Sequence, residues 1–176
     1  MPSPGGQPVH FAGGAASSIR PTWSHDGKWI YYSASKDSGP QIWKKPFGGG
    51  AEIQITRHGG SDQIESADGA YLYYLSSDNR ALWRVPPNGG QESLVLAAIG
   101  ELQFRLGARG AYFVDQGAPR ALKYFDFATG VTKVIGVLPE PVHSQTGLAV
   151  SPDERWVLYG KSRVEGSQLM LIEKFH

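Results

Sequence analysis

Cysteine is absent from this 176-residue sequence. Its absence excludes a disulfide framework, a thiolate zinc site and a cysteine nucleophile. An excess of one charge is also missing, because 17 Lys and Arg residues are balanced by 16 Asp and Glu, for a formal net charge of +1. A domain dedicated to nucleic acid usually carries a strong basic excess. We therefore expect no direct nucleic-acid binding.

Long hydrophobic runs are lacking as well. No uninterrupted apolar stretch approaches the ~18 residues of a membrane-spanning helix, so we expect no membrane span. Residues Met1–Gln7 have neither the basic segment nor the apolar run of a signal peptide. This favours a cytoplasmic location, whereas a periplasmic one would follow if the chain is a fragment of an exported protein.

Glycine, proline and aromatic residues are abundant by contrast. The sequence has 23 Gly and 12 Pro, and aromatic side chains make up 11% of it. Such a Gly and Pro content is typical of many turns, while the aromatic content argues against disorder. The length suits one compact domain, which we assign to residues 1–176.

An aromatic strand that follows a tight turn recurs about every 42 residues, which indicates a repeat architecture. Its four copies are Asp26–Tyr32, Asp68–Tyr74, Arg109–Val114 and Asp153–Tyr159. Two further landmarks follow in the same order. The second is Ile42-Trp43, Leu82-Trp83, Lys123-Tyr124 and Met170-Leu171, and the third is Gly49-Gly50, Gly89-Gly90 and Thr129-Gly130. The repeat predicts four structurally equivalent units.

Each unit reads as four short strands bounded by turn residues. In the first unit we predict strands at 19–24, 28–34, 41–45 and 51–56, with Asp26-Gly27 as a hairpin turn. Four-stranded units of this length are typical of β-propeller blades; a solenoid of stacked sheets is the alternative. We predict an all-β propeller of about four antiparallel blades. The repeats lie approximately at 18–58, 61–99, 100–139 and 143–176.

The turn sequences resemble a known repeat. Pro21–Tyr32 is similar to the first half of the WD40-like PD40 repeat of TolB-type propellers. Ser151–Tyr159 matches the same core, with Glu154 where that family prefers Gly. Ser66–Gly69 keeps the turn without its Pro, and Leu106–Gly110 keeps only the Gly. The resemblance implies a fold rather than one function, since the family includes transport-associated scaffolds, sensor modules and the propellers of some peptidases.

The ends of the chain are out of phase with the repeat. Residues 7–12 align with a fourth strand, while the last unit lacks one. The first strand could close a four-bladed ring, or complete a missing blade of a larger ring; a homodimer could also complete the ring. The closing Ser167–His176 resembles the end of bacterial regulators in which a TolB-like propeller follows a winged-helix domain or a protein kinase.

Candidate catalytic and metal-binding residues all have structural interpretations. Ser24-His25-Asp26 has the residue types of a hydrolytic triad, but neighbouring strand residues point to opposite faces, so we interpret it as a turn. The histidines lack metal-ligand spacing; they are His10, His25, His58, His143 and His176. Gly48–Gly50 reads as a hairpin connection rather than a phosphate cradle. We expect no catalytic residue, cofactor or metal ion.

Several residues remain as candidates for packing or binding. Trp29 matches Trp156 and Trp43 matches Trp83 within the repeat, which favours packing between blades. The basic pairs Lys44-Lys45 and Arg57-His58 suit a solvated rim. Binding residues are expected in the connections between strands; these are 36–38, 78–80, 116–120 and 163–165. Trp23 and Phe104 are candidates for contacting a ligand in an axial channel.

These observations favour a non-enzymatic interaction or sensor module that binds a protein partner or regulates an attached domain. One alternative is the accessory propeller of a prolyl oligopeptidase or tricorn-type peptidase. Its hydrolase domain would be separate, because this sequence has no Gly-x-Ser-x-Gly motif. Another alternative is a propeller that binds a small ligand or glycan in its axial channel.

Overall fold

The computed structural model describes residues 10–11, 17–36, 39–76, 81–99, 104–115, 117, 119–138, 147–163 and 166–173. Within these ranges the chain forms fifteen β-strands joined by turns and contains no helix. The strands pair into four antiparallel sheets in chain order. The predicted all-β propeller is therefore confirmed, and each sheet is one blade.

The first sheet contains β1 (Ser17–Trp23), β2 (Trp29–Lys36), β3 (Gly39–Pro46) and β4 (Ile53–Gln54). The second contains β5 (Ser61–Glu65), β6 (Leu72–Leu75), β7 (Leu82–Val85) and β8 (Ser93–Leu96). The third contains β9 (Phe104–Leu106), β10 (Gly110–Val114), β11 (Ala121–Asp126) and β12 (Thr132–Val137). The fourth has three strands among the described residues, β13 (Leu148–Val150), β14 (Trp156–Arg163) and β15 (Gly166–Glu173).

The first strands of the sheets pack against one another. Strand β1 contacts β5, β5 contacts β9, and β9 contacts β13. These four strands are therefore the inner strands of the blades, as expected for sheets that fan out from a common axis.

The second strand of a blade shares its side chains between two neighbouring sheets. Leu72 and Tyr74 of β6 join a buried cluster with the first sheet, whereas Tyr73 joins a cluster with the third sheet. A third cluster unites the third and fourth sheets through Tyr112 and Tyr159. Because successive strand residues point to opposite faces, an aromatic run can fill both cores at once.

The predicted strand at 7–12 lies largely outside the described residues. Of these residues, only His10 and Phe11 lie in the described part of the chain, and neither belongs to a strand. The Lys45 Nζ donates a hydrogen bond of 2.7 Å to the Phe11 carbonyl and lies 5.4 Å from the Phe11 ring centroid. A fourth strand at 7–12 therefore stays a prediction, since four of its six residues lie outside the described part of the chain.

Candidate functional site

A cleft of about 270 Å³ opens between the inner strands of the first three sheets. Its walls come from three consecutive residues of β1, three of β5 and one of β9. The lining residues are Arg20, Pro21, Thr22, Asp62, Gln63, Ile64 and Arg105. Because the inner strands surround the axis, the cleft lies on the axial side of the blades.

Arg105 occupies a strand position that is uncharged in the other three sheets. It pairs with Tyr112 of the next strand, and the repeat equivalents of Tyr112 pair with uncharged residues. Those residues are Thr22 opposite Tyr31, Ile64 opposite Tyr73 and Ala149 opposite Leu158. Since the other sheets pack without a charge here, the Arg105 guanidinium is not a requirement of the repeat.

Gln63 departs from the repeat at the preceding strand position. The equivalents in the third and fourth sheets are Phe104 and Leu148, both buried in the hydrophobic cores. Gln63 is 1% exposed, so its amide is buried where the third and fourth sheets bury apolar side chains. Burying an amide costs free energy unless its polar atoms are hydrogen-bonded. Like Arg105, Gln63 therefore places a polar group at a position where packing of the sheets does not require one.

The two strands that flank the cleft are distorted at matching places. The pairing register shifts between Ile19 and Thr22 in β1 and between Ser61 and Ile64 in β5. Inside these bulges Arg20 has a φ of 57° and Asp62 a φ of 52°. Left-handed backbone at a non-glycine residue costs on the order of 1–3 kcal/mol and clusters at binding sites.

The bulges place two opposite charges together at the cleft. Arg20 Nη1 forms an ion pair with Asp62 Oδ2. The Gln63 Nε2 donates to the Arg20 carbonyl, and the Thr22 hydroxyl donates to the Gln63 carbonyl at 3.3 Å. These bonds join β1 to β5 and fix the orientation of the Gln63 amide, since its nitrogen must face a carbonyl.

The side-chain oxygen of Gln63 has no hydrogen-bond partner among the described residues. Its Oε1 is buried and accepts no hydrogen bond from the described residues. An acceptor left without a donor in a buried position costs about 1–3 kcal/mol. A ligand that brings an N–H or O–H group to this oxygen would recover that free energy.

The Arg105 guanidinium also has unused donors. Burial lowers its pKa, and its Nη1 donates 2.7 Å to the neighbouring Phe104 carbonyl. Within the described part of the chain no carboxylate pairs with it, and the Asp62 carboxylate is bound to Arg20. A guanidinium has five N–H donors, so the cleft presents a half-buried positive charge with free hydrogen-bonding capacity.

The two residues predicted to contact an axial ligand do not line this cleft. Phe104 is fully buried in the core between the second and third sheets. Trp23 is 55% exposed and packs against Phe47, with ring centroids 4.9 Å apart. A ligand contact at exposed Trp23 stays a prediction, whereas burial of Phe104 removes its ring from any axial channel.

The Ser24-His25-Asp26 segment is a turn, as interpreted from the sequence. The Ser24 hydroxyl donates 2.7 Å to Asp26 Oδ1 and accepts a 2.9 Å bond from the Trp29 N–H. The same Ser-to-Asp bond forms in the second and fourth sheets, where the middle residue is Ala67 or Pro152. The turn therefore does not depend on a histidine.

The histidines and the connections between strands are the remaining candidate positions. His10, His25 and His58 are exposed. His143 and His176 lie outside the described residues, as do most of the connections at 36–38, 78–80, 116–120 and 163–165. The described residues hold no group of three His, Asp or Glu side chains that could bind a metal ion. In the Gly48–Gly50 connection, the Gly49 N–H donates 3.0 Å to the Pro46 carbonyl, as in a hairpin turn.

Lys44 is not on a solvated rim, which corrects the sequence prediction. It is 2% exposed, and its Nζ donates to the Pro87 carbonyl at 2.9 Å and to Asn88 Oδ1 at 2.6 Å. The ammonium also lies 4.2 Å from the Trp29 ring centroid. Its acceptors come from the second sheet, so Lys44 joins two blades.

The matched tryptophans differ in their surroundings. Trp83 packs against the core between the first and second sheets. Trp43 instead lies beneath Lys36, whose Nζ is 3.7 Å from its ring centroid. Packing between blades is thus confirmed for Trp83.

No model of a protein family matches the sequence, and no curated protein matches it. Solved structures are similar to it. TolB from Acinetobacter baumannii aligns with a TM-score of 0.72 and 18% identity, over 87% of this chain and 40% of that one. An oligogalacturonate lyase in complex with manganese aligns with a TM-score of 0.67 and 16% identity, over 88% of this chain and 51% of that one. A chain of a nidogen/laminin complex aligns with a TM-score of 0.64 and 12% identity, over 90% of this chain and 65% of that one.

These similarities establish a TolB-like propeller fold. The chain spans less than two thirds of the length of each of these structures. Membership of the PD40 repeat family stays a prediction. Of the described residues, none belongs to a helix long and apolar enough to cross a membrane.

Proposed function

We propose that this chain is a non-enzymatic interaction module whose axial cleft holds a segment of a protein partner or of an attached domain. The observation that carries the proposal is the pair Gln63 and Arg105. Both are polar where the equivalent strands are uncharged or apolar, and both keep hydrogen-bonding capacity that the described residues do not use. Unused capacity of this kind, on rigid inner strands, supports binding rather than packing.

A peptide segment suits the cleft better than a glycan. Among the described residues, those that line the cleft include no aromatic ring on which a sugar could stack. They offer instead a cation, an ion pair and amide groups, which match the charges and the N–H and C=O groups of a polypeptide. The volume of about 270 Å³ is slightly below the usual range for small-molecule pockets and suits one or two residues of a chain.

Panning of a displayed library of random dodecapeptides against the immobilised chain tests this proposal. We expect peptides that the wild-type chain retains and that an Arg105→Met variant releases. Arg155→Met is the matched control, because Arg155 is exposed in a turn of the fourth sheet and does not line the cleft. Failure of the wild-type chain to enrich any peptide over a surface without protein would contradict the proposal.

The non-enzymatic part of the proposal has its own test. We expect no turnover of a panel of ester and peptide substrates. Reproducible hydrolysis that is lost in a Ser24→Ala or His25→Ala variant would contradict it.

A further inference from the structure

We propose that the axial cleft is a carboxylate-recognition site, in which Arg105 binds the carboxylate and Gln63 Oε1 accepts a hydrogen bond from a donor beside it. This inference rests on the proposed function and names the chemistry of its ligand. The group that fits most simply is the carboxyl terminus of a peptide, which carries a carboxylate and a backbone N–H on the same residue.

The charge of the cleft favours a single negative charge on the ligand. Two arginines, Arg20 and Arg105, are set against one carboxylate, Asp62. The Arg20–Asp62 ion pair satisfies two of these charges, which leaves one guanidinium without a counter-ion among the described residues. A carboxylate would neutralise it, whereas a phosphate dianion would leave a net negative charge in a partly buried site.

Gln63 adds a second requirement. Its Oε1 is an acceptor and its amide is held in place by the bond from Nε2 to the Arg20 carbonyl. A ligand with acceptors alone would leave this oxygen unpaired. A carboxylate with a neighbouring N–H or O–H would satisfy both Arg105 and Gln63, which disfavours inorganic anions that carry no hydrogen-bond donor, such as sulfate.

The remaining walls suit a small apolar group next to the carboxylate. Pro21 and Ile64 line the cleft beside the polar residues. The side chain of a carboxyl-terminal residue such as leucine would bury apolar surface against them, at about 25 cal/mol per Å². The site thus combines a charge, an acceptor and an apolar wall in one small volume.

Fluorescence anisotropy with a labelled tetrapeptide, Gly-Gly-Ala-Leu with a free carboxylate, tests the inference. We expect the peptide to bind and its carboxy-terminal amide to bind at least ten-fold more weakly. Arg105→Met should weaken binding of the free acid at least ten-fold, and Arg105→Lys should weaken it less, since it keeps the charge. Gln63→Met, which keeps the shape without the acceptor, should weaken it as well. Equal binding of acid and amide, or unchanged binding by Arg105→Met, would overturn the inference.

Two further probes identify the source of the carboxylate. An amidated tetrapeptide with an internal aspartate that competes as well as the free acid would support carboxylate recognition of acidic side chains. Competition by lactate at similar concentration would support recognition of free hydroxy acids. Arg155→Met should leave every affinity unchanged, and circular dichroism should show that the variants are folded.

Failure of this inference can be distinguished from failure of the proposed function. Peptides that the wild-type chain retains equally as acids and amides, independently of Arg105, would overturn carboxylate recognition and leave the interaction module standing. Binding of lactate that depends on Arg105, with no peptide bound, would support carboxylate recognition and overturn the interaction module.

Discussion

Glu154 of the fourth sheet accepts a hydrogen bond of 2.7 Å from the Tyr112 hydroxyl of the third sheet. Its other carboxylate oxygen accepts a 2.6 Å bond from the Ala108 N–H. Glu154 has a φ of 53°, at the turn position where the resembling repeat prefers glycine. The two bonds between blades explain how a strained non-glycine residue is accommodated there.

Substitution of Glu154 should separate backbone strain from side-chain bonding. Glu154→Ala loses both bonds and keeps the strain, so we expect a loss of roughly 2 kcal/mol in the free energy of unfolding. Glu154→Gly should lose less, because glycine relieves the left-handed backbone. Urea unfolding measures both. Arg155→Ala is the control, and equal stability of Glu154→Ala and wild type would contradict the assignment.

Gly110 should not tolerate a side chain. A Cβ there would lie 2.2 Å from the Phe125 carbonyl oxygen and 2.6 Å from the Tyr124 ring. Because the first contact is with backbone of the paired strand, we expect Gly110→Ala to destabilise by at least about 2 kcal/mol. Thermal unfolding measures this. Gly136→Ala has open space and should stay within about 0.5 kcal/mol of wild type; equal effects would refute the steric explanation.

Lys44 should contribute to stability through its bonds to the second sheet. Lys44→Met leaves the Pro87 carbonyl and Asn88 Oδ1 without their donor, so we expect a loss of about 1–3 kcal/mol. Lys28→Met is the control, since the Lys28 side chain is 78% exposed. Chemical unfolding of the two variants compares them directly. A larger effect at Lys28 than at Lys44 would contradict a joining role.

Alkaline pH should destabilise the folded protein. Burial raises the pKa of Tyr31 and Tyr74 above the ordinary value of 10.0, and a neighbouring Glu92 carboxylate adds to the effect at Tyr74. Above pH 10 the unfolded phenols lose protons that the folded ones keep, so stability falls as pH rises. The lowered pKa of the Lys44 ammonium acts in the opposite direction, but it is one group against several tyrosines.

Urea midpoints between pH 8 and 11 test the alkaline prediction, and absorbance at 295 nm follows phenolate formation. We expect the midpoint to fall above pH 10, and the slope to be shallower in Tyr31→Phe, which has one fewer buried phenol. A midpoint independent of pH over this range would contradict the assignment of buried, protonated phenols.

The sequence predicts the blades well because their determinants are local. Asp26-Gly27 forms the expected turn, with Gly27 at a φ of 69°. The alternation of Tyr73 and Tyr74 between two neighbouring sheets follows from strand geometry. Such features depend on residues a few positions apart, so one sequence suffices to read them.

Lys44 and the axial cleft depend on contacts between blades, which one sequence does not display. The acceptors of Lys44 lie in the next unit, and nothing in Lys44-Lys45 distinguishes a buried ammonium from a solvated one. Arg105 and Gln63 stand out only after strand pairing shows which positions are equivalent. A comparison of the four units by pairing register would have found them.

The buried cores between neighbouring sheets have a consequence for specificity. The three described cores are all built from apolar and aromatic side chains, so their packing alone does not mark one position along the inner strands. The polar residues at 63 and 105 mark one position, the axial cleft between the first three sheets. Duplication or deletion of one repeat unit could thus preserve the propeller architecture while moving or removing the candidate binding site. The fold and the binding specificity therefore depend on different residues of this chain.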